Sequence, residues 1–166
     1  MANGGQGSRA KASPAGMPEA PMEDIMFKKL LVPVDIGDEA MAKASLDAAK
    51  ALAEPWGAEV RLLHVRPILP SAYLEYVPAD FEGLEKKRAT EDLAALATKI
   101  GLPAGKVSTA VRTGGVYHEV LAEADDCKAD LIVVSSHWPT LATYLIGSHA
   151  TNIVRHAHCS VLVVRA

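Results

Sequence analysis

Near the end of the chain, Gly147-Ser148 stands where an irregular stretch passes into a short helix read at about 148–157. Ser148 suits a helix cap, and a glycine lets backbone come close to a ligand. A helix start offers unpaired N–H groups and the positive end of the dipole, which together suit an anion such as phosphate. No acidic residue occurs between Ser136 and the last residue, and Arg155, His156 and His158 gather at the far end of that helix. The plainer reading is a turn and a cap, and the dipeptide alone leaves both open. Asp35 is the second candidate, at the carboxyl end of the first strand, where open α/β sheets bind ligands. There it would meet a ribose hydroxyl or a metal bound to phosphates, or else order the next turn as an ordinary loop aspartate. Val65, ending the second strand, would line an apolar slot for a flat ring or simply pack in the core. His64 reads as a strand-end residue with a satisfied ring, because a metal site needs convergent partners and none is visible nearby. Phosphoryl transfer needs a positioned base and charge neutralisation. The sequence has no P-loop lysine and no close carboxylate pair near these residues, only His137 and His149.

The elements that must position these residues alternate between short β-branched runs and amphipathic stretches. Phe27-Lys-Lys-Leu-Leu-Val-Pro-Val-Asp35 reads as the first strand, with Pro33 at its end because proline cannot donate to a ladder. Asp38 is the expected cap of a helix at about 38–54, with Met41, Ala44, Ala48 and Leu52 as its apolar stripe and Pro55-Trp-Gly57 breaking it. A strand follows at 58–65. The segment 66–83 carries Pro67, Pro70, Pro78, Tyr73 and Tyr76, and suits a lid, a partner surface or a wandering connection. A second helix is expected at about 84–100, with Leu93, Leu96, Ala97 and Ile100 inward. A polar strand at 106–111 suits a sheet edge, and a third helix runs at about 116–127. Asp130-Leu-Ile-Val-Val-Ser-Ser136 and Ser160-Val-Leu-Val-Val-Arg-Ala166 are apolar enough for strands buried on both faces. The alternation implies an α/β fold: a single doubly wound five-stranded parallel sheet, flavodoxin-like order 3-2-1-4-5, with helices on both faces. Its switch point lies between the first and fourth strands. Asp35 and the 135–148 segment then face each other across one crevice.

Bulk properties narrow the function classes. A formal net charge of −3 with no run of like charges argues against nucleic acid as the main partner. No apolar run reaches membrane-span length. Cys127 and Cys159 have neither metal nor close-pair spacing, and Cys159 suits a buried small hydrophobe. Residues 1–24 are rich in Gly, Ala, Ser and Pro and read as a flexible tail ahead of one domain at 25–166.

Leu31-Val-Pro-Val-Asp35, Leu63-His-Val65 and above all Gly147-Ser-His-Ala-Thr-Asn-Ile-Val-Arg-His-Ala-His-Cys-Ser-Val-Leu-Val-Val-Arg165 resemble the universal stress protein family. The resemblance implies a homodimer and, in one branch, an ATP site marked by Gly, two residues, Gly, nine residues, then Gly with Ser or Thr. Here Ser135 and Trp138 stand where the first two glycines would be, and eight residues separate Trp138 from Gly147. The run Ser-His-x-Pro with Thr-Tyr-Leu-Ile-Gly-Ser is similar to a sub-branch that lacks those glycines and is associated with nucleotide binding. Carried over, Pro33, Val34 and Asp35 would line adenine and ribose, and Val65 would close over the base. Ser135, His137, Gly147, Ser148 and His149 would lie near ribose and phosphates, with Trp138 stacking on the ligand or plugging the site. The implied cofactors are ATP and Mg2+, with Asp35 the metal-side residue. The implied protein is a cytoplasmic, nucleotide-dependent dimeric switch in stress response or signalling. It would act on a further protein partner, and would not be an enzyme beyond weak ATP hydrolysis. A ligand-free scaffold and a slow ATPase or phosphotransferase are the alternatives. Val161, Leu162, Val163 and Val164, on an edge strand, would pair with a second copy.

Overall fold

A computed structural model describes residues 27–74, 76–78, 80–136 and 148–165 of the chain. The tail at 1–24 lies outside them. In chain order the elements are β1 (Lys29–Pro33), α1 (Glu39–Trp56), β2 (Glu59–Arg66), α2 (Ser71–Leu74), α3 (Phe81–Lys99), β3 (Val107–Thr113), α4 (Val116–Cys127), β4 (Leu131–Ser136), α5 (Ser148–His156) and β5 (Ser160–Arg165). The five strands form one sheet in the order β3-β2-β1-β4-β5, and every pairing is parallel. The expected topology therefore stands, including the polar third strand at one edge and the fifth at the other.

Each central strand feeds two cores. Leu30 and Val32 point to the face covered by α1 and α3, while Leu31 points to the face covered by α4 and α5. All three are fully buried, which is why the run is continuously apolar rather than alternating. Asp130 fastens the amino end of the sheet. Its carboxylate accepts from Lys28 N at 2.7 Å and from Lys29 N at 3.1 Å, and its own N–H and C=O bond to Lys29 and Ser160. Beyond that fastening the β1–β4 ladder is short, ending at Leu31 and Ile132, whereas β1 stays paired to β2 as far as Pro33 and Leu63. The carboxyl ends of β1 and β4 therefore part.

Helix α1 starts where Asp38 Oδ1 accepts from Met41 N at 3.0 Å. It runs through Pro55 to Trp56, two residues past the expected end, and stops at Gly57, whose φ of 63° is glycine's left-handed region. Its buried stripe is one residue on from the expected one: Ala42, Ser45, Leu46, Ala49 and Ala53, with Met41, Ala44, Ala48 and Leu52 half-buried at the flanks. The reason is steric. Small side chains at 42, 45, 49 and 53 let the helix lie close on the sheet, whereas a stripe chosen for bulk misses the line of closest approach. Helix α3 starts three residues earlier than expected and buries Ala89, Leu93 and Ile100. The one-turn α2 was not foreseen, and neighbouring Tyr76 is exposed.

On the other face, charge joins α4 to the sheet. Arg61 Nε donates to Glu123 Oε1 at 2.8 Å, and Arg112 reaches Glu119, Glu123 and Asp126 at 2.7, 2.9 and 2.9 Å. Those hydrogen bonds, first to Glu119, raise the Arg112 pKa above its already high ordinary value. Glu123 is 5 % exposed, and two guanidiniums compensate the burial of its charge.

The seating of α1 is directly testable. Ala49→Leu is expected to cost about 1–3 kcal/mol by forcing the helix off the sheet, while Ala48→Leu, at the half-buried flank, should cost clearly less. Urea unfolding of both variants checks this, and equal losses would mean the stripe is misplaced.

Candidate functional site

The parting of β1 and β4 opens a cavity of about 430 Å³ at the carboxyl edge of the sheet. The β1–α1 connection supplies Pro33, Val34, Asp35, Asp38 and Met41. The end of β2 and the crossover after it supply Leu63, His64, Val65 and Pro67. From the far side come Val134 and Ser135 of β4, Val116 of α4, and His149, Ala150 and Ile153 of α5. The lining is mostly apolar with a few polar groups, the usual make-up of a small-molecule site. Of the residues singled out from sequence, Pro33, Val34, Asp35, Val65, Ser135 and His149 meet here. Ser148 opens α5 as its first helical residue rather than as the cap ahead of it, and does not line the cavity. His137, Trp138 and Gly147 lie outside the described residues.

Asp35 is held by its own loop. Its Oδ1 accepts from Gly37 N at 2.9 Å, an Asx turn, and its C=O accepts from Asp38 N at 3.2 Å. Gly37 permits this closeness, since a Cβ there would sit 3.3 Å from Asp35 Oδ1. Behind the loop, Val34 N donates to Leu63 O at 2.8 Å, and the His64 ring lies with Nδ1 3.1 Å from Val34 O. A carbonyl only accepts, so Nδ1 carries the proton. Through Nδ1 the His64 ring ties the β1 exit to β2.

Electrostatically the described lining is acidic: Asp35 and Asp38 face the space, with no lysine or arginine among the described lining residues. Among the described residues no three His, Cys, Asp or Glu side chains gather as a metal site. A cation at Asp35 would therefore share its ligands with a phosphate or water. The two thiols lie elsewhere, half-buried against the α4–α5 core. Burial first, then Glu123 for Cys127 and Asp130 and Asp125 for Cys159, pushes both thiol pKa values up. They stay protonated at neutral pH, as poor nucleophiles.

Sequence reasoning found Pro33, Val34 and Val65 but missed the rest of the apolar lining. Ala150 and Ile153 follow His149 on the inner face of α5, and a helical period would have found them. Pro67 and Val116 come from connections after neighbouring strands, and only the strand order brings them to one place. Asp38 was expected only as a cap, and it serves both roles.

A doubly wound parallel sheet that opens a cavity at its switch point, with mostly apolar walls and Asp35 among the lining residues, is an open α/β fold of the flavodoxin-like order. The family model described as the universal stress protein family matches residues 26–165, and the chain belongs to that family. It is 34% identical over 143 residues to universal stress protein G of Escherichia coli O157:H7, covering 84% of this chain and all of that protein. It is 32% identical over 154 residues to universal stress protein MJ0531 of Methanocaldococcus jannaschii, covering 84% and 83%. The solved structure of hypothetical protein MJ0577 aligns with a TM-score of 0.68 at 26% identity, covering 85% of this chain and 97% of that one. No described helix is long and apolar enough to cross a membrane.

The His64 tie can be measured alone. His64→Phe keeps the bulk but leaves Val34 O without its donor, and should lower stability by about 1–3 kcal/mol. Chemical denaturation reads this, and an unchanged midpoint would show that the ring holds nothing.

Proposed function

We propose that the cavity binds an adenine nucleotide, ATP with Mg2+ in the fullest form, and that the occupied protein acts as a dimeric switch in stress response or signalling rather than as an enzyme. The carrying observation is the pairing of an apolar slot of about 430 Å³ with a carboxylate fixed at its rim by an Asx turn. Leu63, Val65 and Val116 offer the contact a purine needs, and Asp35 offers an acceptor for a ribose hydroxyl. Structures of the same fold carry cAMP, at 24% identity and TM-score 0.55, and dAMP, at 18% and 0.58. At such distance they speak for the fold, so the ligand has to be argued from this chain's own side chains.

Those side chains favour holding over turnover. A transferring phosphoryl group needs its charge neutralised, and the described lining brings two carboxylates instead. A polyphosphate would enter with its own cation, with Asp35 on the metal side. The amides ahead of α5 would meet the phosphates there. Ser135 and His149 would flank the ribose, with Ser148, Gly147, His137 and Trp138 completing the phosphate side. The readout would be a change of shape passed to a protein partner in the cytoplasm.

The dimer in this reading forms through β5. It pairs only with β4 among the described residues, Leu162 on it is 37 % exposed, and an open apolar edge invites a second copy.

Equilibrium dialysis with ATP and Mg2+ tests the ligand. Binding in the micromolar to millimolar range is expected, without sustained phosphate release. Asp35→Ala should weaken it about tenfold or more, the worth of a hydrogen bond to a charged group. Absence of binding at millimolar ATP would discard the reading in favour of a ligand-free scaffold, and turnover lost with Asp35 would favour an enzyme. For the assembly, sedimentation should give a dimer for the parent chain and a monomer for Leu162→Lys. A monomeric parent would remove the switch from the proposal.

A further inference from the structure

A second cavity, of about 340 Å³, lies on the other side of His64 and Pro67, between the carboxyl end of β2 and the first half of α3. Its walls include Ile36, Leu69, Phe81 and Ala89, so it has an apolar body. Arg66 also lines it, and that side chain is only 11 % exposed.

The burial of Arg66 is poorly compensated. One guanidinium nitrogen, Nη2, donates to Glu82 Oε2 at 3.1 Å, and among the described residues the side chain has no other partner. A guanidinium carries five N–H groups, so four are left over. Arg112 shows what this chain does elsewhere: at 29 % exposure, less buried than Arg66, it engages three carboxylates. Ser45 Oγ is the one sealed side-chain polar atom without a partner among the described residues. The open nitrogens of Arg66 are therefore still reachable, and the residue is part of this cavity's wall. A mostly desolvated guanidinium with free donors suits the planar or tetrahedral oxygens of an oxyanion.

The other charges on the wall must be weighed. Glu82, Glu85 and Asp92 are acidic and Arg88 is basic. Glu85 is already neutralised by Arg88 at 3.0 Å. Asp92 also lines the cavity, ten residues beyond Glu82 on α3 and about 15 Å further along the axis, and among the described residues it makes no ion pair with Arg66. That leaves Glu82 as the competitor. It is 52 % exposed and makes one contact, so water can take over its carboxylate at little cost when it swings out.

We propose that this second cavity is an oxyanion site, with Arg66 as the fork and a small molecule bearing a carboxylate or phosphate on an apolar body as ligand. The oxyanion takes the two parallel N–H groups of Arg66 as Glu82 leaves. Phe81, Leu69 and Ile36 cover the apolar part. The site stands whether or not the neighbouring cavity takes a nucleotide.

The test is a titration without nucleotide, following the arginine Nε–H resonances by NMR, with Arg66 assigned by its loss in Arg66→Lys. Inorganic phosphate, acetate and benzoate are the three probes. Benzoate winning over acetate would identify a carboxylate on an apolar body, and phosphate winning over both would identify a phosphate ligand. Saturable movement of the Arg66 signal is expected with at least one probe. Glu82→Gln, a surface change that keeps the fold, should tighten that probe several-fold by removing the competing charge, and Arg66→Met should abolish it. The inference is overturned if the Arg66 signal stays still to tens of millimolar of every probe, or if Glu82→Gln leaves the affinity unchanged.

Discussion

A short ladder between the two central strands is the constraint on which the rest of the molecule turns. Strands β1 and β4 pair at Leu30–Leu131 and Leu31–Ile132, and Asp130 fastens them below that through both carboxylate oxygens. Above, the connection after β1 leads to α1 on one face, while α5, covering the β4 side, packs on the other. Among the described residues the β1–β4 ladder extends no further, and the cavity lies where the two strand tips part. Leu31 and Ile132 are committed beneath α4 and α5, while Leu63 and Val134 belong to that core and also line the space. A pocket at this point is a consequence of topology, and its lining is what the chain specifies.

The helices then set how near that lining can come. Helix α1 approaches through Ala42, Ser45, Ala49 and Ala53, which brings its first turn, with Asp38 and Met41, over the mouth. Bulkier residues on that line would lift the helix and carry Met41 with it. On the other face, the pair of guanidiniums on Glu123 anchors α4, and Val116 at its start becomes a fixed wall. Packing far from the site is thereby tied to the dimensions of the site.

Much of this could be read from residues alone, and the failures have one cause. Strand period, proline at the end of β1 and the apolar runs of β4 and β5 declare themselves locally, and the strand order followed from their alternation. Asp35 was legible because its position relative to a strand end carries meaning by itself. The stripe of α1 was misjudged because hydrophobicity was taken as the mark of burial, whereas close approach selects small side chains regardless of polarity. Ser45, fully buried, is the clearest instance. Pro67 and Val116 were missed for a different reason: each is an ordinary residue whose role exists only once several segments meet.

The two cavities on either side of His64 differ in their charged groups. The larger one faces Asp35 and Asp38 with no described cation, while the smaller one has the under-paired Arg66. His64 separates them with its ring bonded to Val34 O, and Nδ1 is committed as a donor to the β1 exit. The wall between them is therefore pinned to the sheet at that bond. An anion on Arg66 would offset a charge on its own side, and a nucleotide opposite Asp35 would bring a cation to the other. Neither ligand needs the charged group of its neighbour, so the two spaces can fill independently unless the pinned ring moves.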